Sequence, residues 1–314
     1  MTQLLQSVDA RTKLAGRNQL EILLFTLGRN DGSGRQETFG INVFKVREVM
    51  HVPEITRAPD APAAVEGMVS LRGQVVPVIH LARYCNFPVM DDPGILVITE
   101  YNRHVQGFLV HSVESIVRLD WEEVRVPPSM IMAERAGLVT AVTELDDGRL
   151  VMIMDVEKVL ADVAGFYQDE SIFQSIDPIP VNVGAVLFAD DSIVARQQVR
   201  KTLERLGIKP IEATNGTEAW TQLCDLADRA AASEQPLKHL LSAVVTDIEM
   251  PEMDGYVLTQ RIKDDQRFKG IPVIMHSSLS GNANLGASVG ADVYVPKFDP
   301  TELANSLKAL LPIP

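Results

Sequence analysis

Cysteine is scarce in this chain: Cys85 and Cys224 are the two it has in 314 residues, and they lie in different halves. That excludes a disulfide-stapled scaffold and fits a reducing cytosol. Positive charge is in deficit, with 29 Lys and Arg against 42 Asp and Glu and a formal net charge of -13. Nucleic acid is bound through clustered Lys and Arg, so it is excluded as a partner, and so is a transcription regulator needing a basic helix-turn-helix. No apolar run approaches the roughly 18 to 20 residues of a membrane span. Asp9, Arg11 and Lys13 interrupt any signal-peptide core. A cytoplasmic protein without direct membrane insertion is the expectation. Repeats and low-complexity stretches are missing as well. In the first half no Gly-rich phosphate loop follows a strand, and His51, His80, His104 and His111 lack metal-ligand spacing.

What is present is a chain 46% hydrophobic, enough for two ordinary cores. Leu4, Leu5, Val8 and Leu14 suit a short amphipathic helix against a core or a partner. From Glu21 to Asp155 the apolar segments are short, rich in Val and Ile, and bounded by Gly or Pro: Ile22–Leu27, Phe39–Val46, Val75–Ile79, Ile95–Ile98, Phe108–Val110 and Leu150–Met154. These are strands of an all-β barrel or sandwich. Residues 168–182, acidic and with two prolines, read as a linker.

Beyond it, Ala185–Phe188, Ala243–Thr246, Pro272–Met275 and Val293–Val295 are apolar strands separated by helical stretches, which is βα alternation. Ala195, Val199, Leu203 and Leu206 mark one face of a helix. Asp299-Pro300-Thr301-Glu302 starts another, with an N-cap acid and Pro at the first helical position.

In a parallel α/β sheet, functional side chains gather at the carboxyl ends of strands. Asp190 and Asp191 close one strand and Asp247 another. Three carboxylates in one cleft repel each other, and a hard divalent cation, magnesium foremost, relieves the repulsion through oxygen ligands. A carboxylate also attacks phosphorus when something neutralises the transferred oxygens. Lys297 ends the last strand and supplies charge; Ser277 ends the strand before it and supplies a hydroxyl. Singly, an Asp-Asp pair is a helix cap and a strand-end Lys meets solvent. In this order, at four successive strand ends, they form a phosphoacceptor site.

The stretch from Val183 to Leu311 resembles the receiver domains of response regulators. The resemblance rests on ADD at 189–191, DIEMPEMDG at 247–255, Ser277, Tyr294 and Lys297. It implies that Asp247 accepts the phosphoryl group and ligates Mg2+ together with Asp191 and the Glu249 backbone carbonyl, while Asp190 acts through water. It also implies that Lys297 and Ser277 contact the phosphate and that Ser277 and Tyr294 form a switch pair. Pro296 precedes Lys297, where most receivers carry proline after the lysine.

The first half resembles the CheW family of chemotaxis coupling proteins across Asn18 to Ala164. The G-x-x-x-L-R-G pattern at Gly67–Gly73 carries the likeness, following IxxxP and preceding VxPVI; Ser70 and His80 stand where Asn and Asp are usual. The resemblance implies two five-stranded barrels and a surface that binds chemoreceptor tips and a CheA-type histidine kinase. Arg72 and Glu48 match coupling positions, and either partner contact or a mutual ion pair suits them. Ile41, Val43, Val46 and Val49 read as barrel core.

A CheW-like double barrel at 1–167 (core about 18–164), a linker at 168–182 and a flavodoxin-like receiver with a five-stranded parallel sheet at 183–314 is the CheV-type arrangement. The implied function is an adaptor joining receptors to the kinase in membrane receptor arrays, tuned by phosphorylation. Rather than an enzyme, it is a phosphoacceptor that catalyses its own phosphotransfer from phosphohistidine. The alternative is a phosphate sink that drains the kinase.

Overall fold

The computed structural model describes residues 19–29, 36–87, 92–101, 104–127, 138–164, 171–180, 183–277, 289–297 and 299–311. The amphipathic helix expected around Leu4 to Leu14 lies outside them. Two compact units divide the chain, one taking Leu20–Leu119 and Glu123–Phe166 and the other the chain from Tyr167 on together with Gln19 and Asp120–Glu122.

The first unit runs β1 (Gln19–Arg29), β2 (Gln36–Asn42), β3 (Val46–His51), β4 (Val65–Leu71), β5 (Gln74–His80), α1 (Leu81–Tyr84), β6 (Ile95–Tyr101), β7 (His104–Val110), β8 (Ser112–Asp120), β9 (Val139–Glu144), β10 (Leu150–Met154) and α2 (Val156–Ala164). The strands form two five-stranded sheets, β8-β1-β2-β10-β9 and β3-β6-β7-β5-β4. Phe39–Val46, expected as one strand, is broken by a 3-10 turn at Val43–Lys45 that carries the chain from one sheet to the other. Asn42 caps the turn by accepting from the Phe44 N–H at 3.0 Å. Lys45 then pairs with the buried Glu157 of α2 at 2.9 Å, pinning the crossover. Phe25, Phe39 and Ile41 of the first sheet share a core with Ile79, Val97 and Phe108 of the second. Ile41 is fully buried, and Val43, Val46 and Val49 pack against the same core. The stripe is core, as its spacing suggests.

The second unit continues with α3 (Ser171–Gln174), β11 (Ala185–Ala189), α4 (Ile193–Leu206), β12 (Pro210–Ala213), α5 (Gly216–Ala232), β13 (Leu241–Thr246), α6 (Gly255–Asp264), β14 (Val273–Ser277), β15 (Val293–Pro296) and α7 (Pro300–Leu310). Its strands pair in parallel in the order β12-β11-β13-β14-β15, the doubly wound order with its switch point between β11 and β13. The face of α4 read from the sequence is the buried one: Ala195, Val199, Leu203 and Leu206 pack on the sheet. Asp299 caps α7 by accepting from the Glu302 N–H at 2.9 Å, with Pro300 in the first turn.

The linker expectation needs correction in its described part. Phe173, Ile176 and Ile179 are buried in the same core as Val186, Leu203 and Leu307, and the Ile179 N–H donates to the Leu206 carbonyl at 2.9 Å. Prolines and acids mask three apolar residues whose burial outweighs the cost of ordering the segment.

Candidate functional site

The parallel sheet brings the strand-end acids together. Asp190 and Asp191 follow β11 and Asp247 follows β13, its neighbour, so 56 residues of separation become adjacency. Backbone bonds set the register: the Asp247 N–H donates to the Ala189 carbonyl at 2.8 Å and the Asp190 N–H to the Ala213 carbonyl at 3.3 Å. One carboxylate oxygen of each of Asp190, Asp191 and Asp247 lies within 4.8 Å of the others, the one such acid, His or Cys cluster among the described residues.

Each acid is oriented by its loop. Asp190 Oδ1 accepts from the Ser192 N–H at 2.9 Å, and Ser192 caps α4. Arg196, one turn into α4, donates to the carbonyls of both Asp190 and Asp191 at 2.9 Å, fixing the loop from behind. Asp247 Oδ1 accepts from the Ile248 N–H at 2.7 Å, while the Gly255 N–H closes the loop onto the Ile248 carbonyl at 2.8 Å. Asp254 caps α6 through the Val257 N–H. The motif around Asp247 is thus a loop whose two ends are tied together, with Glu249 two residues along it.

Lys297 enters from the end of β15. Its Nζ stands 2.7 Å from Asp190 Oδ2 and 2.9 Å from Asp247 Oδ2, and the side chain is 3% exposed. Its N–H donates to the Ser277 carbonyl at 3.0 Å, so the Pro296-Lys297 order still delivers the ammonium to the acids. Burial pushes the Asp247 carboxyl well above the ordinary carboxylate range; Lys297 opposes the rise, and Asp190 and Asp191 add to it. Ser277, at the end of β14, is buried and its hydroxyl is hydrogen-bonded to that of the half-buried Tyr294 on β15. Burial, above all, raises the Tyr294 phenol.

The donor set suits magnesium: hard carboxylate oxygens, with a lysine offsetting a charge the cation would otherwise balance. Arg196 escaped the sequence reading. The signal available was an arginine one helical turn beyond an Asp-Asp pair.

In the first unit the β4–β5 hairpin turns on Arg72 and Gly73 alone, with Leu71 paired to Gln74. Both turn residues have positive φ, 51° and 82°, as a type I′ turn demands. Arg72 therefore stands at a hairpin tip, and its Nη2 meets Glu48 Oε2 of β3 at 3.0 Å. The ion pair exists, and with Arg72 74% exposed it contributes little to stability. His80 is buried as the cap of α1, where its Nδ1 accepts from the Arg83 N–H at 3.4 Å.

Residues 21–164 match the CheW-like domain family and residues 186–308 the response regulator receiver domain family. The chain is 30% identical over 303 residues to chemotaxis protein CheV3 of Helicobacter pylori, covering 94% of this chain and 95% of that one. It is 28% identical over 328 residues to CheV2 of the same organism, covering 98% and 100%. To chemotaxis protein CheW of Klebsiella aerogenes it is 29% identical over 153 residues, 48% of this chain and 87% of the relative.

Proposed function

Because this chain belongs to the CheV family of chemotaxis proteins, we propose that its receiver accepts a phosphoryl group on Asp247 from a CheA-type kinase and so adjusts the coupling made by its CheW-like half. It is a chemotaxis coupling adaptor with a receiver domain. The observation that carries the phosphoacceptor reading is Lys297, buried between Asp190 and Asp247 where the transferred oxygens would arrive.

Asp247 Oδ2 is the nucleophile in this reading. It forms the O–P bond as the N–P bond of a donor phosphohistidine breaks and the electron pair stays on the departing imidazole. Lys297 follows the new charge from the carboxylates to the phosphoryl oxygens, and the Ser277 hydroxyl donates to one of them. Asp191, Asp247 and the Glu249 carbonyl would hold Mg2+, with Asp190 acting through water; when bound, the ion neutralises charge on the phosphoryl oxygens. Arg72 and Glu48 would lie on the surface that meets receptor tips and the kinase, Arg72 presented outward by the hairpin tip and Glu48 paired with it from β3. No helix among the described residues is long and apolar enough to cross a membrane, and the proposed place of work is the cytoplasmic face of receptor arrays.

The test is phosphotransfer from purified kinase followed by receptor-controlled kinase activity. Labelling is expected to vanish in Asp247→Ala and in a chelator, and Asp191→Ala is expected to weaken it at least tenfold. Acyl-phosphate label surviving in Asp247→Ala sinks the assignment. Identical coupling with and without beryllofluoride bound at Asp247 would leave the receiver as a phosphate sink.

A further inference from the structure

Tyr256 sits on the first turn of α6, directly after the Gly255 that closes the acceptor loop. It is 4% exposed and its hydroxyl, fully buried, has no hydrogen-bond partner among the described residues. A buried hydroxyl without a partner is destabilising, so phenylalanine would be the better residue here if this were the protein's one state. Its ring packs with Ile248, Met275 and Tyr294 in a small cluster of its own, apart from the two large cores that flank the sheet.

Tyr294 holds a hydrogen bond to Ser277. Ser277 has one hydroxyl proton, and in the reading above that proton is wanted by the phosphoryl group on Asp247. When Ser277 turns, the contact it made to Tyr294 is lost inside a buried cluster, and the hydroxyl in that cluster with unused capacity is Tyr256. Resting on the Asp247 assignment, we propose that Tyr256 is a positioning residue of the switch: its hydroxyl receives the hydrogen bond that Tyr294 gives up when Ser277 engages the phosphoryl group.

The resting state forgoes this bond and the phosphorylated state makes it, so Tyr256 gives the two states different free energies without touching substrate or metal. A two-state element is biased by a group whose interactions differ between its states. Tyr294 packs against the same cluster as Tyr256 and acts electrostatically on its phenol, alongside Glu249, Asp254 and Asp247.

Calorimetry of the full-length chain tests this, following the transition that responds to Mg2+ with beryllofluoride. Tyr256→Phe is expected to raise that transition by about 2 to 6 °C without ligand, since an unpaired hydroxyl is removed. The same variant is expected to lose half or more of the upward shift that beryllofluoride produces in the wild type. A structural role alone moves the first quantity and leaves the second. A beryllofluoride shift of wild-type size in Tyr256→Phe overturns the proposal. A wild type with no beryllofluoride shift overturns the Asp247 assignment and this proposal with it.

A second, metal-free measurement keeps the two apart. In Ser277→Ala, Tyr294 has already lost its partner and turns to Tyr256 in the resting state. Adding Tyr256→Phe to Ser277→Ala is therefore expected to lower the transition instead of raising it. An equal rise in both backgrounds means that the two tyrosines do not exchange a hydrogen bond, and the proposal fails whatever Asp247 does.

Discussion

Asp247 and Gly255 approach each other so closely that a β-carbon on residue 255 would stand 1.9 Å from the Asp247 carbonyl oxygen. The glycine that ends the DIEMPEMDG motif is there because α6 starts against the backbone of Asp247 itself. That contact, with the bond from the Gly255 N–H to the Ile248 carbonyl, aims the loop at the strand ends.

Gly255→Ala is accordingly expected to destabilise the second unit by about 3 kcal/mol, because the Asp247–Ile248 backbone leaves the methyl group no room. Denaturant unfolding followed by Trp220, which packs against Phe268 in that unit, reads the change. Wild-type stability would mean the loop yields easily and does not hold Asp247 in place.

Phe173→Ala should cost the same unit about 3 kcal/mol, the usual loss for a buried phenylalanine. Phe173 is 7% exposed, between α4 and α7, with Lys201 over its ring at 5.8 Å. Were residues 171–180 a free tether, the unfolding midpoint would stay where it is in the wild type.

At the hairpin tip, Arg72→Ala and Arg72→Asn are expected to change stability by less than about 1 kcal/mol, since the ion pair to Glu48 is exposed. Asn also tolerates the positive φ that Arg72 adopts, so it separates turn strain from loss of the guanidinium. Both variants should co-sediment less with receptor-bearing membranes and kinase. Equal co-sedimentation at several concentrations would leave Arg72 as a partner for Glu48 and nothing more.

His80 makes the first unit sensitive to mild acid. Burial, with Arg83 nearby, holds its pKa below the ordinary 6.5, so an unfolded chain takes up a proton that the folded one refuses. The stability that neutral His80 contributes is complete above pH 6.5 and is lost as pH falls below it. Protonation would also remove the lone pair that accepts from the Arg83 N–H. His80→Asn keeps a capping acceptor without the titration, and unfolding midpoints from pH 7.5 to 5 should fall less steeply in it than in the wild type. Parallel slopes would clear His80 of the effect.

The strands that stood out as apolar segments are mostly the interior ones: β1, β2, β5, β6, β7, β10, β11, β13 and β14, with β15 the one edge strand among them. Those that escaped, β3, β4, β8, β9 and β12, are all sheet edges. An edge strand packs on one neighbour and leaves more of its surface to water, as the largely unburied β8 does, so its apolar signal is diluted by polar residues. The turn at Val43–Lys45 was invisible for the opposite reason: its valine and phenylalanine read as strand, and the chain bends there to change sheets.

By itself the sequence determined what depends on nearby residues. It marked the helical face at Ala195, Val199, Leu203 and Leu206, the capped start at Asp299, and the acids, hydroxyl and lysine at successive strand ends. Family likeness at Gly67–Gly73 and 247–255 supplied the two domain types. Only the tertiary structure decided which strand ends adjoin, that Lys297 bridges Asp190 and Asp247, that Arg72 meets Glu48, that Phe173 belongs to the receiver core, and that the Tyr256 hydroxyl has no partner among the described residues. Those are pairings between residues 24 to 107 positions apart, or burial by many segments at once, and no local period or cap encodes them. Strand order, set by which apolar faces cover one another, makes them neighbours.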